Sequence, residues 1–151
     1  KSFTGAVAML GGAPIEALCQ RQHLKNPDSH IAEVTAGGTC LNLAYTHRGV
    51  MGELRLPQED PAPVYDDSRS TIFVARDAGS VKKSVWTYRR SAVVREGVDL
   101  NEVRFYKIAD ADNCADMFTK PVDHAKICHL LSHTHKMAPQ AKRREPMEVE
   151  G

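Results

Sequence analysis

The sequence is poor in the features that mark secreted and membrane-spanning proteins. Its four cysteines, at positions 19, 40, 114 and 128, form no CxxC pair, and no secretory signal precedes them. This cysteine usage favours a reducing intracellular compartment, cytoplasmic or nuclear, over one in which disulfides form. No apolar run approaches the roughly 20 residues that span a bilayer, so no membrane partner is expected.

The sequence also lacks a strong charge of either sign. Its formal net charge is +1, so any claim of nucleic-acid binding must rest on local clusters of charge. A chain of 151 residues with 42% hydrophobic and 26% charged residues is typical of one globular domain. We expect that domain over residues 1–136 and a disordered tail over residues 137–151, which contain almost nothing apolar. Because the chain begins with Lys1 instead of Met, we expect it to be a piece of a longer polypeptide.

Hydrophobic periodicity and turn residues predict an α/β domain with a mixed sheet. Gly11 and Gly12 separate two predicted strands. Gly97 is expected to stop a helix that starts at residue 81. The apolar faces assigned to the helices consist of Ile72, Phe73, Val81, Val85, Tyr88, Ala92, Ile127, Leu130 and Leu131. The predicted strands are 4–10, 15–20, 64–67 and 102–108, and the predicted helices are 29–54, 70–76, 81–96, 113–117 and 122–133.

Short phrases spread along residues 1–121 carry the most specific information. Residues 1–15 contain KSFTG and LGGAPI, residues 32–34 read AEV, residues 64–72 read VYDDSRSTI and residues 94–96 read VRE. The most specific phrase is NCADMFTKP, at residues 113–121. In the same order, these resemble KSTSGYV…LGGGPISW, AEY, YCDNQSAI, IRE and LADIFTKPL, which belong to the ribonuclease H region of copia-type retrotransposon polyproteins.

The resemblance implies a ribonuclease H-like fold, with a mixed sheet flanked by helices, and cleavage of the RNA strand of an RNA–DNA hybrid. It also implies two divalent cations, Mg²⁺ or Mn²⁺, and a reverse-transcriptase domain upstream in a parent polyprotein. The chemistry needs clustered carboxylates because Mg²⁺ prefers oxygen ligands. Two such ions about 4 Å apart stabilise both the attacking and the leaving oxygen at phosphorus.

Three acids match the family's catalytic and metal-binding positions. Glu33 matches the glutamate of the long helix, although an acid there can also serve only the helix dipole. Asp67 matches the acid at the end of the central strand, and the alternative is a solvated turn residue beside Asp66. Asp116 matches the last acid, although its spacing from Asn113 also fits a helix capping box.

The family's fourth carboxylate stands in a DADWAG segment, on a strand just upstream of the KSTSG hairpin. That strand and its aspartate are expected to be missing from a chain that begins at Lys1. The loss would weaken metal binding, remove most hydrolysis and expose a sheet edge or an apolar face. We therefore expect little or no nuclease activity, and the alternative is a non-catalytic nucleic-acid-binding or interaction remnant.

Basic residues are concentrated in the helix predicted over residues 81–96. The candidate contacts to nucleic acid are Lys82, Lys83, Trp86, Arg89 and Arg90. Lys82, Trp86 and Arg89 share a face, which would bring phosphates and a stacked base or sugar within reach. A solvated helix surface explains the pattern equally well. Cysteines and histidines after residue 113 do not match a zinc-ligand spacing, and no nucleophilic motif is present.

Overall fold

The computed structural model describes residues 2–22, 29–76 and 85–134, without the side chains of residues 29, 30, 85–87, 90, 133 and 134. Within these ranges the protein is a mixed α/β structure. The predicted tail lies outside them, and no helix within them is long and apolar enough to cross a membrane. In chain order the elements are β1 (Phe3–Leu10), β2 (Ala13–Arg21), α1 (Ser29–Glu53), β3 (Ala62–Asp66), α2 (Arg69–Arg76), α3 (Val85–Asp99), β4 (Val103–Lys107), a 3₁₀ turn (Asp110–Asp112), α4 (Asp116–Thr119) and α5 (His124–Thr134).

The first two strands form the predicted antiparallel hairpin. Leu10 pairs with Ala13, so the loop consists of Gly11 and Gly12 alone. Their φ angles of 58° and 89° lie in the left-handed region, which glycine enters without steric cost and which a two-residue hairpin turn requires. Both glycines are therefore needed by the turn that the sequence predicted.

The second pair of strands is parallel and carries the main core. β3 and β4 pair from Ala62 opposite Val103 to Asp66 opposite Lys107, and α2 and α3 form the connection between them. A parallel pair cannot be joined by a tight turn and needs such a crossover. The buried core cluster consists of Leu41, Val64, Ile72, Ala75, Val94, Val103 and Phe105.

Two glycines allow helices to approach their neighbours closely. A Cβ on Gly37 of α1 would lie 2.9 Å from Thr71 Cγ2, so a close neighbour explains this glycine, whereas Gly38 faces open space. A Cβ on Gly97 would lie 2.5 Å from Leu41 Cδ1. The prediction that Gly97 stops the helix is wrong, because α3 continues to Asp99 and the chain reverses at Asn101, whose φ is 55°.

Three predicted core residues are exposed. Phe73, Tyr88 and Leu131 are 48%, 55% and 53% exposed, whereas their neighbours Val74 and Leu130 are buried. Ile72 and Leu130, which were assigned to the same faces of α2 and α5, are buried, so these two predicted faces are correct only in part. On α3 the fully buried residues are Ser91 and Val94 instead of Tyr88.

The strands form two separate two-stranded sheets in the described ranges, where one mixed sheet was expected. Gln22 Nε2 donates to Thr4 Oγ1 and to Ala32 O, which ties the start of β1 to the start of α1. Arg48, near the end of α1, donates to Gln58 O and Asp60 O just before β3. Since β3 begins near the end of α1, β1 and β3 cross the same helix in opposite directions.

Candidate acidic site

The carboxylate of Glu33 joins α1 to the loop after β3. Its Oε2 accepts hydrogen bonds from Ser68 Oγ at 2.6 Å and Ser70 Oγ at 2.7 Å. Ser68 Oγ also accepts from the backbone N–H of Thr71, so the serine caps the start of α2. Glu33 therefore fixes the start of another helix, a role beyond a favourable interaction with the dipole of its own.

Asp66 and Asp67 lie where β3 ends. Asp66 Oδ1 accepts the Ser68 N–H at 2.7 Å, which turns the chain toward α2. Lys107, opposite Asp66 in β4, donates to the backbone carbonyls of Asp67 and Ile108. The carbonyl groups that follow the strand are thus tied to a lysine side chain, and Asp67 is held at the carboxyl end of β3.

Burial raises the pKa of the Asp66 carboxyl from its ordinary value of 3.8 to about 6. The Ser68 N–H opposes this shift, the charges of Asp67 and Glu33 add to it, and Lys107 opposes it. Desolvation disfavours the charged form of a carboxyl group, and neighbouring carboxylates do the same. Asp66 therefore changes its charge much closer to neutral pH than an ordinary aspartate does.

Asp116 is almost fully buried and is paired with two lysines. Its side chain is 5% exposed, and its Oδ2 lies 3.0 Å from Lys120 Nζ and 2.9 Å from Lys126 Nζ. The hydrogen bond with Asp116 is the main cause that raises the pKa of Lys120; partial burial opposes it, and the charges of Asp116, Asp67 and Asp110 add to it. Lys120 is therefore paired with Asp116 and is also affected by the charge of Asp67.

The three predicted acids thus lie around the carboxyl end of β3. Glu33 binds the two serines that follow Asp67, and residues 113–115, which directly precede Asp116, line the same cavity as Asp66 and Asp67. The carboxylate of Asp116 does not form the capping box that its spacing from Asn113 suggested. Asn113 Oδ1 instead accepts the Ala115 N–H, and Asp116 binds lysines.

The arrangement of these acids does not fit a pair of divalent cations. In the described ranges, no group of three or more His, Cys, Asp or Glu side chains is placed to hold a metal ion. Asp116 Oδ2 already faces two ammonium groups and Glu33 Oε2 accepts two hydroxyl hydrogens. Since Mg²⁺ requires oxygen ligands in near-octahedral geometry, these carboxylates would have to exchange their partners before binding it.

The predicted basic surface lies on and before α3. Arg89 is exposed, and the Arg95 guanidinium lies 5.6 Å from the centre of the Tyr88 ring. Lys82 and Lys83, and the side chains of Trp86 and Arg90, are outside the described residues. The nucleic-acid contacts of this helix therefore stay a prediction, and Arg89 is the candidate whose side chain the structure describes.

A groove of about 710 Å³ lies beside the acidic site. We call it the inter-sheet groove. One wall is residues 5–10 of β1, the other is residues 62–66 of β3, and the floor comes from α1, including Cys40, Leu43 and Ala44. Asp66 and Asp67 line its end.

The serines and lysines of the site were missed by sequence reasoning. Lys120 follows Asp116 at the i+4 spacing of an ion pair on a helix, which is a usable signal. Lys126, Ser68 and Ser70 reach their partners only through the tertiary fold, and no local pattern predicts that. Asp66 was noted in the sequence, but only its half-buried position marks it as an unusual acid.

No protein-family model, curated protein or solved structure matches this chain. The ordered phrases and the geometry around β3 are therefore the basis for any functional assignment.

Proposed function

We propose that this protein is a ribonuclease H-like domain of a copia-type retroelement polyprotein and that the chain is catalytically silent by itself. The observation that carries the proposal is the grouping of Glu33, Asp67 and Asp116 around the end of β3. These residues were selected by motif alone and are far apart in the sequence. Ligand sites in α/β proteins form at the carboxyl ends of parallel strands, where this group lies.

The secondary structure is in keeping with the proposal. An antiparallel hairpin, a long helix and then a parallel pair with helical connections follow one another in the order that the resemblance implies. The inter-sheet groove corresponds to the place at which a ribonuclease H-like sheet would continue between β1 and β3.

Catalytic silence is expected while the site has only three carboxylates, because a cation held by so few ligands would not displace the partners that these acids already have. Two lysine ammonium groups neutralise Asp116, and two serine hydroxyls donate hydrogen bonds to Glu33. A metal cation would have to displace these partners before it could bind the carboxylate oxygens. We expect neither Mg²⁺ nor Mn²⁺ at millimolar concentration to raise the melting temperature. A ligand that binds only the folded state raises that temperature increasingly as its concentration exceeds its Kd, so a clear rise with either metal would contradict silence.

The direct test is cleavage of a labelled RNA–DNA hybrid in Mg²⁺. The native chain is compared with a version extended at its amino terminus by a strand of the DADWAG type, and with the extended version carrying Asp67→Asn. The proposal expects no cleavage by the native chain, cleavage by the extended version and its loss on Asp67→Asn. An extended version that folds, as circular dichroism reports, and still does not cleave would reject the nuclease ancestry of this site.

The second candidate is a non-catalytic nucleic-acid-binding remnant, favoured by the exposed Arg89 on the basic helix. Its test is a salt titration of affinity for the same hybrid. Each lost phosphate contact should reduce the slope of log affinity against log salt by about one. Arg89→Ala and Arg90→Ala should each do so, and the control Arg104→Ala, an exposed arginine on β4, should not. A flat titration rejects this candidate.

A further inference from the structure

A histidine and a cysteine lie side by side on α5. His124 and Cys128 are four residues apart, so they occupy the same face of the helix, one turn from each other. The Cys128 Sγ atom lies 3.8 Å from each of the two ring nitrogens of His124. Both residues are exposed. The helix therefore presents a thiol and an imidazole together to the solvent.

This separation suits two ligands of one zinc ion. Zinc binds a cysteine sulfur at about 2.3 Å and a histidine nitrogen at about 2.0–2.1 Å, and its angles are tetrahedral. Two neighbouring ligand atoms, one sulfur and one nitrogen, are then about 3.6 Å apart. Because both side chains are exposed, a small rotation brings Sγ and a ring nitrogen to this distance without moving the helix. Thiolate and imidazole are also donor types that zinc prefers, whereas Mg²⁺ prefers oxygen.

The pair is separate from the acidic site. Lys126, whose Nζ binds Asp116 Oδ2, lies midway between His124 and Cys128 in the sequence. With 3.6 residues per turn, a residue two positions away lies about 160° around the helix axis. The face of α5 that carries the thiol and the imidazole therefore points away from Asp116. Neither residue lines the inter-sheet groove.

One copy of the chain supplies too few ligands for a structural zinc site, which almost always has four. In residues 2–22, 29–76 and 85–134, no group of three or more His, Cys, Asp or Glu side chains is placed to hold a metal ion. A second copy related by a two-fold axis would present the same patch to the first. Two histidines and two cysteines would then complete the tetrahedron, and two thiolates would balance the charge of Zn²⁺.

An exposed leucine extends the same face of α5. Leu131 follows Cys128 by three residues, which places it on the same side of the helix, and it is 53% exposed. Two copies joined at the metal would bring their leucines close to the two-fold axis. Removal of this apolar surface from water would then support the contact that the metal makes.

We propose that His124 and Cys128 form one half of a zinc site, which a second copy of this chain completes, so that Zn²⁺ joins two chains through α5. The ion has two histidine nitrogens and two thiolate sulfurs as its ligands. Each Cys128 thiol releases its proton to the solvent when zinc binds, and no electron is transferred. The proposal does not depend on a nuclease function, because no residue of the acidic site takes part.

The test uses the native chain in a phosphine reductant, with Zn²⁺ as the ligand and Co²⁺ as its spectroscopic substitute. Sedimentation velocity should show a monomer without metal and a doubled mass with one zinc ion per two chains, and EDTA should reverse the change. Co²⁺ should give the visible bands of a tetrahedral site and a near-ultraviolet thiolate-to-metal band. Mg²⁺ should leave the chain monomeric, which tests the site without any variant.

Four variants assign the ligands. Cys128→Ser and His124→Gln should each weaken zinc binding more than about a hundredfold, since loss of an outer-shell partner alone costs up to about that much. The controls are Cys19→Ser, which removes another exposed thiol, and His129→Gln, which removes the histidine that pairs with Asp112. Both controls should dimerise with zinc as the native chain does. Circular dichroism confirms that each variant is folded.

Other results would overturn the proposal. A chain that binds zinc as a monomer, and loses it on His133→Gln or His135→Gln, would have all its ligands in one copy. A dimer that persists in EDTA and dissolves in a stronger reductant would be a disulfide. An octahedral Co²⁺ spectrum without the thiolate band, unchanged binding by Cys128→Ser, or a constant mass in excess zinc would each reject the shared site.

Discussion

Asp116 and Asp66 both lie near the carboxyl end of β3, but they have opposite electrostatic surroundings. Asp116 is buried with two ammonium groups within 3.0 Å of one oxygen. Asp66 is half-buried, accepts one backbone N–H, and has Asp67 and Glu33 as charged neighbours. The first acid is paired with two cations, whereas burial raises the pKa of the second to about 6.

The two acids are expected to have different roles, one in stability and one in binding. A carboxylate whose charge is fully compensated contributes to stability, and breaking its pairs costs free energy. A carboxyl group that is desolvated and close to like charges reduces the stability of the folded state at neutral pH, and such groups are concentrated at functional sites. We therefore expect Asp116 to serve structure in this chain and Asp66 to mark the part of the site that can still receive a cation or a basic side chain.

The largest effect is expected from Asp116→Ala. The substitution removes two charge-assisted hydrogen bonds, each worth about 1.5–3 kcal/mol. Since Lys120 and Lys126 are 53% and 31% exposed, water recovers part of this loss. The free energy of unfolding should fall by about 2–4 kcal/mol in urea titrations. The single variants Lys120→Met and Lys126→Met apportion the loss, and a fall below about 0.5 kcal/mol for Asp116→Ala would show that solvent already screens both pairs.

The next effect has the opposite sign and comes from Asp66→Asn. A folded-state pKa of about 6 against an unfolded value of 3.8 corresponds to at most about 3 kcal/mol of destabilisation by the ionised form. Asparagine carries no charge and its carbonyl oxygen can still accept the Ser68 N–H. The variant should therefore be about 1–3 kcal/mol more stable than the native chain at pH 7.5.

The pH dependence distinguishes this explanation from a general stabilisation. Because the folded state holds the Asp66 proton between pH 3.8 and about 6 while the unfolded state has released it, this group lowers stability as pH rises through that window. Below pH 3.8 both states are protonated, so the variant and the native chain should be equally stable there. Urea titrations at pH 3.5, 5 and 7.5 measure the difference. A constant difference at all three values would reject the assigned cause.

Much of the fold was predictable because its signals are local. Gly11 and Gly12 define a hairpin by their conformational freedom alone, and the four strands and the long helix follow from periodicity and turn residues. The buried faces of α2, α3 and α5 were not predictable to the same degree. Phe73, Tyr88 and Leu131 are apolar and helical, but the buried face is fixed by packing against other elements, where Thr71 and Ser91 are fully buried instead.

The candidate site was predictable to a similar extent and for a similar reason. Motif spacing selected Glu33, Asp67 and Asp116, and the fold brings them to one end of β3. Their partners were not predictable, since Ser70 lies 37 residues from Glu33 and contacts it only because α1 passes beside α2. The inter-sheet groove was not predictable, because its two walls belong to two sheets that sequence patterns did not separate from each other.

The smallest effect is expected from Ser70→Ala, and it tests whether Glu33 belongs with Asp116 or with Asp66. The variant removes one of two hydroxyl donors to Glu33 Oε2 and keeps Ser68, so the free energy of unfolding should fall by about 1 kcal/mol. Thr46→Ala is the control, because Thr46 is exposed and bonds only within its own helix, and it should change stability by less than about 0.5 kcal/mol. Ser68→Ala should lower the free energy of unfolding more than Ser70→Ala does, since Ser68 also caps α2. If Ser70→Ala leaves stability unchanged or raises it, Glu33 is an uncompensated acid like Asp66, and the cation-accepting part of the site includes both.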